Sequence, residues 1–369
     1  MEDMEIEKES VYYMKNNFDF NFYRGKRVMI TGHTGFKGSW LTKILLNMGA
    51  DVLGYALDVP EESLYYISGY AKDIRSIIGD IRDYNFLKKV FDSFKPEIVI
   101  HLAAQPLVRE SYRNPVYTYE TNVMGTVNLL ECIRNSGCVR SVLNVTTDKV
   151  YKNREWCWGY RENEELDGYD PYSNSKSCSE LVTHSYIQSF FQDKSGKILL
   201  PVSTARAGNV IGGGDFAEDR IIPDCIRAMR KDEDIIVRNP YSIRPYQHVL
   251  EPLSAYLLIV GMQYKNPELA GNYNVGPDEG DCCETGKLVE LFLKYWKGNR
   301  TWINQYSGDL HEAHYLKLDC SKIKTNFGWK PKWGIDMAVN KTVEWTKEWM
   351  ENRNVNVCMD KQIKEYFAD

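Results

Sequence analysis

Long hydrophobic runs are missing from this sequence of 369 residues, in which 43% of the residues are hydrophobic and 26% are charged. A helix that crosses a bilayer needs roughly 20 consecutive apolar residues, so we do not expect a membrane protein. The segment from Met1 to Arg24 lacks a basic patch followed by an apolar stretch, which a secretory signal would contain. We therefore expect a protein of the cytoplasm.

The sequence also lacks cysteine spacings typical of disulfides or metal sites, and it lacks an excess of basic charge. The nine cysteines are odd in number and have no metal-ligand spacing, and only Cys282 and Cys283 are adjacent, so we expect reduced thiols and no metal site. The formal net charge is -5, whereas a protein that binds nucleic acid needs a basic face. We expect no nucleic-acid partner, and we expect basic residues to meet a small anion locally.

A regular alternation of short apolar runs and longer helical patterns begins at Lys26. It predicts an α/β fold with a doubly wound parallel sheet of the Rossmann type, because strands of such sheets are joined by crossover helices. The predicted strands are Arg27 to Thr31, Asp51 to Leu57, Glu97 to Ala103, Ser141 to Thr147 and Ile198 to Arg206. The predicted crossover helices are Lys37 to Met48, Phe86 to Phe94, Tyr117 to Asn135 and Tyr172 to Phe191.

The pattern changes after about Gly212, where glycine and proline become more frequent and the strands shorten. We predict an N-terminal extension at residues 1–24, whose role the sequence does not indicate, and a Rossmann-type domain at 25–211. Residues 212–369 are predicted to form mostly a second, smaller substrate-binding lobe, with some segments returning to the first domain.

A glycine-rich loop follows the first predicted strand and opens the first helix. Glycines at this place let backbone N–H groups approach a pyrophosphate at the positive end of a helix. We therefore predict that a dinucleotide contacts Gly32, Thr34, Gly35, Phe36 and Gly38. The alternative is a tight turn between strand and helix that holds no ligand.

Two aspartates are candidates for the adenosine half of that dinucleotide. Asp58 lies slightly beyond the end of the second strand, where an acidic residue holds the ribose, or else it is a turn residue before Pro60. No arginine stands at that strand end to receive a 2′-phosphate, which favours NAD over NADP. Asp80 follows a third possible strand and is predicted to lie near the adenine, although it could equally cap a helix.

Tyr172 and Lys176 lie four residues apart at the start of a predicted helix and therefore on one face of it. With 25 tyrosines in the chain, this spacing alone is poor evidence of a site. However, the strand that ends in Thr147 and Asp148 delivers a hydroxyl and a carboxyl group to the same edge of the sheet. We expect three catalytic groups to converge on the nicotinamide.

Together these motifs resemble the extended short-chain dehydrogenase/reductase family, and within it the sugar-nucleotide 4,6-dehydratases that act on CDP-glucose. The resemblance covers about Arg24 to Pro277, and the insert Asn153-Arg154-Glu155-Trp156 is typical of that subgroup. Lys149 stands where most sugar-nucleotide dehydratases carry a glutamate. Besides the glycine loop and the Tyr172–Lys176 segment, the resemblance rests on His101-Leu102-Ala103-Ala104-Gln105-Pro106, Thr146-Thr147-Asp148-Lys149, Arg206-Ala207-Gly208-Asn209-Val210-Ile211-Gly212-Gly213-Gly214-Asp215 and Arg244-Pro245-Tyr246-Gln247-His248-Val249.

The resemblance implies a bound NAD, a CDP-glucose substrate and a homodimer, or a higher homo-oligomer, that pairs the helices Tyr117 to Asn135 and Tyr172 to Phe191. These helices also carry more apolar surface than one face of a sheet should cover. Arg220 and Arg244 are expected at the diphosphate, because guanidinium groups match phosphate oxygens. Further expected cofactor contacts are Ile81, Leu102, Ala103 and Ala104, and further substrate contacts are Asn209, Gln105 and His248.

The resemblance also implies roles in a dehydration. Tyr172, with a pKa expected well below its usual 10 beside Lys176, would accept the proton of the sugar 4-hydroxyl, which Thr147 would orient. Asp148 would protonate the departing C6 oxygen. Lys149 would either take the C5 proton or act only by its charge.

Two alternatives remain open from the sequence. One is another reaction on the same scaffold, such as that of a different 4,6-dehydratase, a 4-epimerase or a uronate decarboxylase, because fold does not fix function. An epimerase has no leaving hydroxyl to protonate, so Asp148 is the residue that separates them. The other alternative is a non-catalytic NAD-binding sensor, in which Tyr172 or Lys176 would be lost.

Overall fold

The central feature of the fold is a parallel sheet of seven strands, seen in a computed structural model that describes residues 18–305 and 315–368. In chain order the strands are β1 (Arg27–Thr31), β2 (Asp51–Ala56), β3 (Arg75–Ile78), β4 (Ile98–His101), β5 (Ser141–Thr147), β6 (Val202–Ala207), β7 (Val210–Ile211), β8 (Ile235–Val237), β9 (Ile243–Arg244), β10 (Gln247–His248), β11 (Asn272–Val275), β12 (Cys283–Glu284) and β13 (Trp302–Asn304). The order across the sheet is β11-β6-β5-β4-β1-β2-β3, and the short strands pair as β10-β7, β12-β9 and β13-β8.

Both faces of the sheet are covered by helices, as the α/β prediction requires. On β1 the side chains alternate between two cores, because Val28 and Ile30 pack with helices on one face and Met29 packs on the other. The helices are α1 (Phe36–Asn47), α2 (Leu64–Ile67), α3 (Tyr84–Phe94), α4 (Val108–Arg113), α5 (Pro115–Tyr119), α6 (Gly125–Arg134), α7 (Pro171–Tyr186), α8 (Ile221–Lys231), α9 (Leu250–Lys265), α10 (Thr285–Trp296), α11 (Ser321–Phe327), α12 (Ile335–Met350) and α13 (Val355–Phe367). The doubly wound fold is thus confirmed.

The predicted elements differ from the observed ones mainly at their ends. The fifth predicted strand begins at Val202 instead of Ile198, because the chain first makes an isolated bridge between Gln192 and Ile198. The helix predicted from Tyr117 to Asn135 is divided into α5 and α6 by a π-helical turn at Glu120–Met124. Such a turn adds a residue to the helical repeat, which a search for three- and four-residue spacing does not detect.

The second half of the chain contributes to two layers of the molecule, the large sheet with its helices and a smaller layer built around a separate core. Strand β11 completes the large sheet beside β6, and the buried helix α9 packs against the same sheet. A separate core is formed by α8, α10 and α12 with the short strands β8 and β13. The chain thus passes more than once between the large sheet and the separate core. The domain boundary at residue 211 stays a prediction.

The described end of the N-terminal extension packs against its own chain. Tyr23 is fully buried and donates a hydrogen bond to the carbonyl of Leu257 in α9. The ring of Phe18 lies so close to Gly261 that a Cβ there would be 2.2 Å from it. Residues 1–17 of the predicted extension lie outside the described residues.

All nine cysteines lie in the described part of the chain and are free thiols. Within the same residues, no helix combines the length and the apolar character that crossing a membrane requires.

A buried carboxylate fastens the C-terminal segment to the sheet layer. Glu251, fully buried on α9, accepts hydrogen bonds from the backbone N–H groups of Lys332 (3.1 Å) and Trp333 (2.7 Å) and from the hydroxyl of Tyr366 (2.6 Å). Burial nevertheless raises the pKa of Glu251 from its usual 4.5 to about 7, although these donors lower it. Desolvation of the charge therefore outweighs the hydrogen bonds.

We predict that Glu251 makes the chain less stable as the pH rises from 4.5 through 7. The folded state holds this proton more tightly than the unfolded chain, so its contribution is fully present below pH 4.5 and is lost above the folded pKa of about 7, a change of up to about 3 kcal/mol. Urea-unfolding midpoints at pH 5 and pH 8 should differ less in Glu251→Gln than in the parent. The exposed Glu268→Gln should retain the parental difference, and equal differences in all three proteins would contradict the prediction.

Candidate active site

A cavity with a volume of about 1450 Å³ opens at the carboxyl ends of the parallel strands. Strands β2 and β4 lie on either side of β1, so that Thr31 pairs with Tyr55 and His101. The crossovers diverge at this place, and such a crevice is where open α/β sheets bind ligands. Residues of the smaller layer, among them Arg244 and Tyr246, form the opposite wall.

The glycine loop is packed in a way that fits a pyrophosphate. A Cβ on Gly38 would lie 2.1 Å from the carbonyl oxygen of Gly32, and a Cβ on Gly32 would lie 2.7 Å from the backbone nitrogen of Ala103, so neither position accepts a side chain. Gly35, the N-cap of α1, has no side chain to cap the helix, which leaves its first N–H groups available to an anion. The predicted contacts Gly32, Thr34, Gly35, Phe36 and Gly38 all line the cleft.

The residues predicted for the adenosine half also line the cleft. Asp58 is exposed, and its Oδ1 accepts a hydrogen bond from Tyr66 (2.8 Å), which leaves the other oxygen facing solvent or a ligand. Asp80 is bound through both oxygens by Arg82, whose hydrogen bonds lower the pKa of Asp80. The remaining predicted contacts on this wall are Ile81, Leu102, Ala103 and Ala104.

Strand β5, the turn that follows it and helix α7 bring all five predicted catalytic side chains, Lys149 included, to the same cleft. Lys176 is buried on α7, and its Nζ donates a hydrogen bond to the carbonyl of Val145 on β5 at 3.2 Å. Two residues further along β5 comes Thr147, whose hydroxyl donates to Oδ1 of Asp148 at 3.0 Å. Tyr172 lines the cleft one helical turn before Lys176.

Asp148 combines deep burial with an unused acceptor. Only 1% of the residue is exposed, and Nζ of Lys149 lies 3.5 Å from its Oδ1. Its Oδ2 has no hydrogen-bond partner among the described residues and lies 3.1 Å from where a Cβ on Gly208 would be. A buried polar atom without a partner costs free energy, so this oxygen is the unsatisfied acceptor of the site.

The titration of Tyr172 corrects one expectation from the sequence. Burial raises the pKa of Tyr172 to about 12, and the charge of Asp148 adds to this, while the hydrogen bond with Thr147 and the charge of Arg220 lower it. The expected decrease caused by Lys176 is therefore not seen. Lys176 itself has a pKa lowered to about 8 by burial, which the charge of Glu180 opposes.

Three of the five predicted substrate contacts line the cleft. Asn209 faces Nζ of Lys149 through its Oδ1 at 3.5 Å, and Arg220 is paired with the buried Asp215 at 3.0 Å. Arg244 is buried in the wall, where its Nη1 donates to the carbonyl of Ile243. A guanidinium group held on one side, as Arg220 is by Asp215, can present its other N–H groups to phosphate oxygens.

Gln105 and His248 do not line this cleft, and their substrate contacts stay predictions. The amide of Gln105 is buried and hydrogen-bonded to Thr118 at 2.9 Å and to the backbone of Leu107. His248 is fully buried against the rings of Trp40 and Trp333. Gln105 follows β4 and His248 lies in the short strand β10. Both side chains point into the protein, and their sequence motifs do not indicate this direction.

Lys37 is a cleft residue that the sequence reasoning did not single out. Burial, followed by the charges of Lys176 and Arg220, lowers the pKa of Lys37 to about 7, although the charge of Asp148 opposes this. A signal was available in the sequence, because a basic residue in the first turn of a helix is electrostatically unfavourable. Its amine lies 5.9 Å from the ring centre of Tyr256.

The insert after β5 also reaches the cleft. Asn153 lines the cavity and is held through its Nδ2 by the carbonyl of Tyr315 at 3.2 Å. In the residues that the structure describes, no three His, Cys, Asp or Glu side chains are grouped closely enough to hold a metal ion.

Comparison with known proteins connects this geometry with sugar-nucleotide enzymes. The family model for GDP-mannose 4,6-dehydratase matches residues 29–342. A CDP-glucose 4,6-dehydratase of Salmonella typhimurium is 48% identical over 356 residues, which are 95% of this chain and 98% of that protein. A dTDP-glucose 4,6-dehydratase of Bacillus anthracis, solved in complex with NAD, superposes with a TM-score of 0.75 at 20% identity and covers 89% of this chain and 99% of that one.

A second solved structure has a different catalytic outcome on a similar fold. The UDP-glucose 4-epimerase of Thermus thermophilus, in complex with NAD, has a TM-score of 0.72 and 25% identity, and covers 87% of this chain and 99% of that one. Fold similarity therefore does not separate dehydration from epimerisation, and the side chains of the cleft have to do so.

Proposed function

Because the chain belongs to the GDP-mannose 4,6-dehydratase family, we propose that it is a lyase that removes water from CDP-glucose to give CDP-4-keto-6-deoxyglucose. The observation that carries the proposal is Asp148, a buried carboxyl group with one oxygen free for a ligand, beside Thr147, Tyr172 and Lys176. A 4-epimerase would have no use for such a group. The choice of CDP-glucose rests on the 48% identical Salmonella protein.

We further propose that NAD is the resident cofactor of the cleft. When bound, NAD would take a hydride from C4 of the hexose and return it to C6, so no net oxidation would remain. The glycine loop would hold its pyrophosphate, and Asp58 would face a ribose hydroxyl. The rest of the proposed binding surface is Asp80, Ile81, Leu102, Ala103 and Ala104, with Tyr172 and Lys176 at the nicotinamide end.

In the proposed reaction Tyr172 accepts the proton of the sugar 4-hydroxyl. Its pKa of about 12 makes proton loss unfavourable in the free protein, so nearby positive charge has to favour the phenolate. Arg220 already acts in this direction, and a positively charged nicotinamide ring would add to it. The hydroxyl of Thr147 would orient the sugar hydroxyl toward Tyr172.

Elimination of water then requires an acid and a base. Asp148 would donate a proton through its unpartnered Oδ2 to the departing C6 oxygen. Lys149, with about a third of its side chain exposed and its amine between Asp148 and Asn209, is placed either to accept the C5 proton or to stabilise the enolate by charge. Asn209, Arg220 and Arg244 would bind the diphosphate from the smaller layer.

The direct test is incubation of the purified protein with CDP-, TDP-, GDP- or UDP-glucose in the presence of NAD. We expect CDP-glucose to be converted fastest into a 4-keto product that has lost the mass of one water, without net reduction of NAD. A product of unchanged mass would indicate an epimerase, and stoichiometric reduction of NAD would indicate a dehydrogenase. Either result would overturn the proposal.

We predict that Asp148→Asn separates oxidation from elimination. The amide keeps the shape of the carboxyl group but cannot donate the proton, so elimination should slow by about 10²- to 10⁴-fold while the 4-keto hexose accumulates with the reduced cofactor. Rapid-quench mass analysis measures both species. Asp167→Asn, which changes a largely exposed carboxylate outside the cleft lining, serves as the control. Turnover of Asp148→Asn at the parental rate would exclude Asp148 as the acid.

We predict that Lys149→Met abolishes deuterium exchange from solvent at C5 while C4 oxidation continues. Lys149→Arg distinguishes the two roles, because an arginine keeps the charge but does not deprotonate. Loss of exchange in both variants indicates that Lys149 is the base, and exchange retained only in Lys149→Arg indicates a fixed charge. Exchange that survives in Lys149→Met would show that Lys149 has neither role.

We also predict a homodimer through α5, α6 and α7, a proposal supported by apolar side chains that this surface leaves exposed. Val116, Met124, Leu181 and Phe190 are each 47% to 68% exposed, and covering such a surface stabilises association. Sedimentation at micromolar concentration should give a dimer that Leu181→Glu weakens. Val357→Glu, at an exposed residue of α13, should leave it intact. A monomeric parent would exclude the proposal.

A further inference from the structure

A buried ion pair lies directly behind the proposed catalytic groups. Glu180 follows Lys176 by one turn of α7 and is 3% exposed, and Arg206 on β6 is 1% exposed. Nε and Nη2 of Arg206 donate to the two carboxylate oxygens of Glu180, with Nε at 2.8 Å from Oε1 and Nη2 at 2.5 Å from Oε2. Neither residue lines the cleft.

The remaining hydrogen bonds of the pair tie it to three strands of the sheet. Glu180 also accepts from the hydroxyls of Thr146 on β5 (2.5 Å) and Thr204 on β6 (3.2 Å). Nη1 of Arg206 donates to the hydroxyl of Tyr151 at 2.7 Å, and that hydroxyl donates to Asn274 on β11 at 2.6 Å. Every polar contact of Glu180 is therefore internal, and its carboxylate stays in one place.

Two consecutive residues of β5 anchor the two ionisable side chains of α7. The carbonyl of Val145 holds Lys176 and the hydroxyl of Thr146 holds Glu180, immediately before the strand ends at Thr147 and is followed by Asp148. The helix that carries Tyr172 is thereby fixed relative to the strand end that carries the proposed acid.

The charges around Lys176 are otherwise unfavourable for an ammonium group. Lys37 on α1 is basic, and its interaction with Lys176 lowers the pKa of Lys37. His101 on β4 is buried, and burial together with Lys176 lowers its pKa to about 3, so it stays neutral. Glu180 is the group whose charge raises the pKa of Lys176 against the effect of burial.

We propose that Glu180, paired with Arg206, is a positioning residue that ties α7 to the end of β5 and keeps Lys176 protonated in its buried site. The proposal rests on the proposed function for the role of Lys176 in turnover. Its structural part, the protonation of Lys176, is independent of any substrate.

The test uses the Glu180→Gln/Arg206→Met double variant, which removes both charges together and so avoids a single buried charge without a partner. Thr204→Val is the matched control, because it removes one hydrogen bond to Glu180 but leaves its charge. Titration by NMR of protein labelled with ¹³C at the lysine Cε atoms reports the ammonium group. The signal of Lys176 is identified by its loss in Lys176→Met.

We expect the midpoint of Lys176 to fall in the double variant, because the charge of Glu180 raises the Lys176 pKa and that of Arg206 is not among its causes, and to stay parental in Thr204→Val. The high-pH limb of kcat should move down by the same amount while KM is retained, because Glu180 does not line the cleft. Glu180→Asp keeps the negative charge. Its Lys176 midpoint and its high-pH limb of kcat should therefore lie between those of the double variant and those of the parent.

An unchanged Lys176 midpoint in the double variant would overturn the proposal, as would a lowered midpoint with a parental pH profile of kcat. If the single variant Glu180→Gln does not fold, the double variant still decides. If the midpoint falls but the parent converts none of the four sugar nucleotides, the proposed function fails while the effect of Glu180 on Lys176 stands.

Discussion

The removal of charged groups from water at the end of strand β5 is the constraint on which the site depends. Parallel strands bring their carboxyl ends to one edge, and here β5 ends at Thr147, followed by Asp148, inside the protein. A carboxyl group buried in this way needs hydrogen bonds or a ligand, and a nearby ammonium group needs a counter-charge. Lys149, Lys176 and Glu180 supply these partners from the strand end and from α7. Because these buried groups need partners, the same hydrogen bonds and charge pairs fix the positions of the groups suited to proton transfer.

The parts of the fold that could be predicted from the sequence are those governed by local rules. The limits of β1 and β5 agree with the predicted runs at both ends, because buried parallel strands are continuous apolar stretches. The glycine loop and the spacing of Tyr172 and Lys176 were equally readable, since close backbone approach requires glycine and a helix repeats after four residues. For these residues the geometry depends only on neighbours a few positions away in the chain.

The parts that could not be predicted depend on distant contacts. His248 was predicted at the site, but the rings of Trp40 and Trp333 enclose it. Lys37 was not predicted there, but it lies near the charges of Asp148, Lys176 and Arg220. The pKa of Tyr172 likewise depends on how densely the protein surrounds the ring, and the four-residue spacing to Lys176 carries no information about that. Strand β11 is four residues long and far from its neighbour β6 in the chain, so no local pattern assigns it to the sheet.

The return of the chain to complete the sheet at β11 has a consequence for how this molecule is assembled and altered. After β6 the chain builds much of the smaller layer before Asn272–Val275 pairs with Thr204–Ala207. The edge of the large sheet therefore closes only when residues about 70 positions apart meet, a long-range contact of the kind that slows folding. For the same reason the cleft wall formed by the second half of the chain is not one contiguous segment. Exchange of that wall with a relative would require at least two crossover points, one on each side of β11.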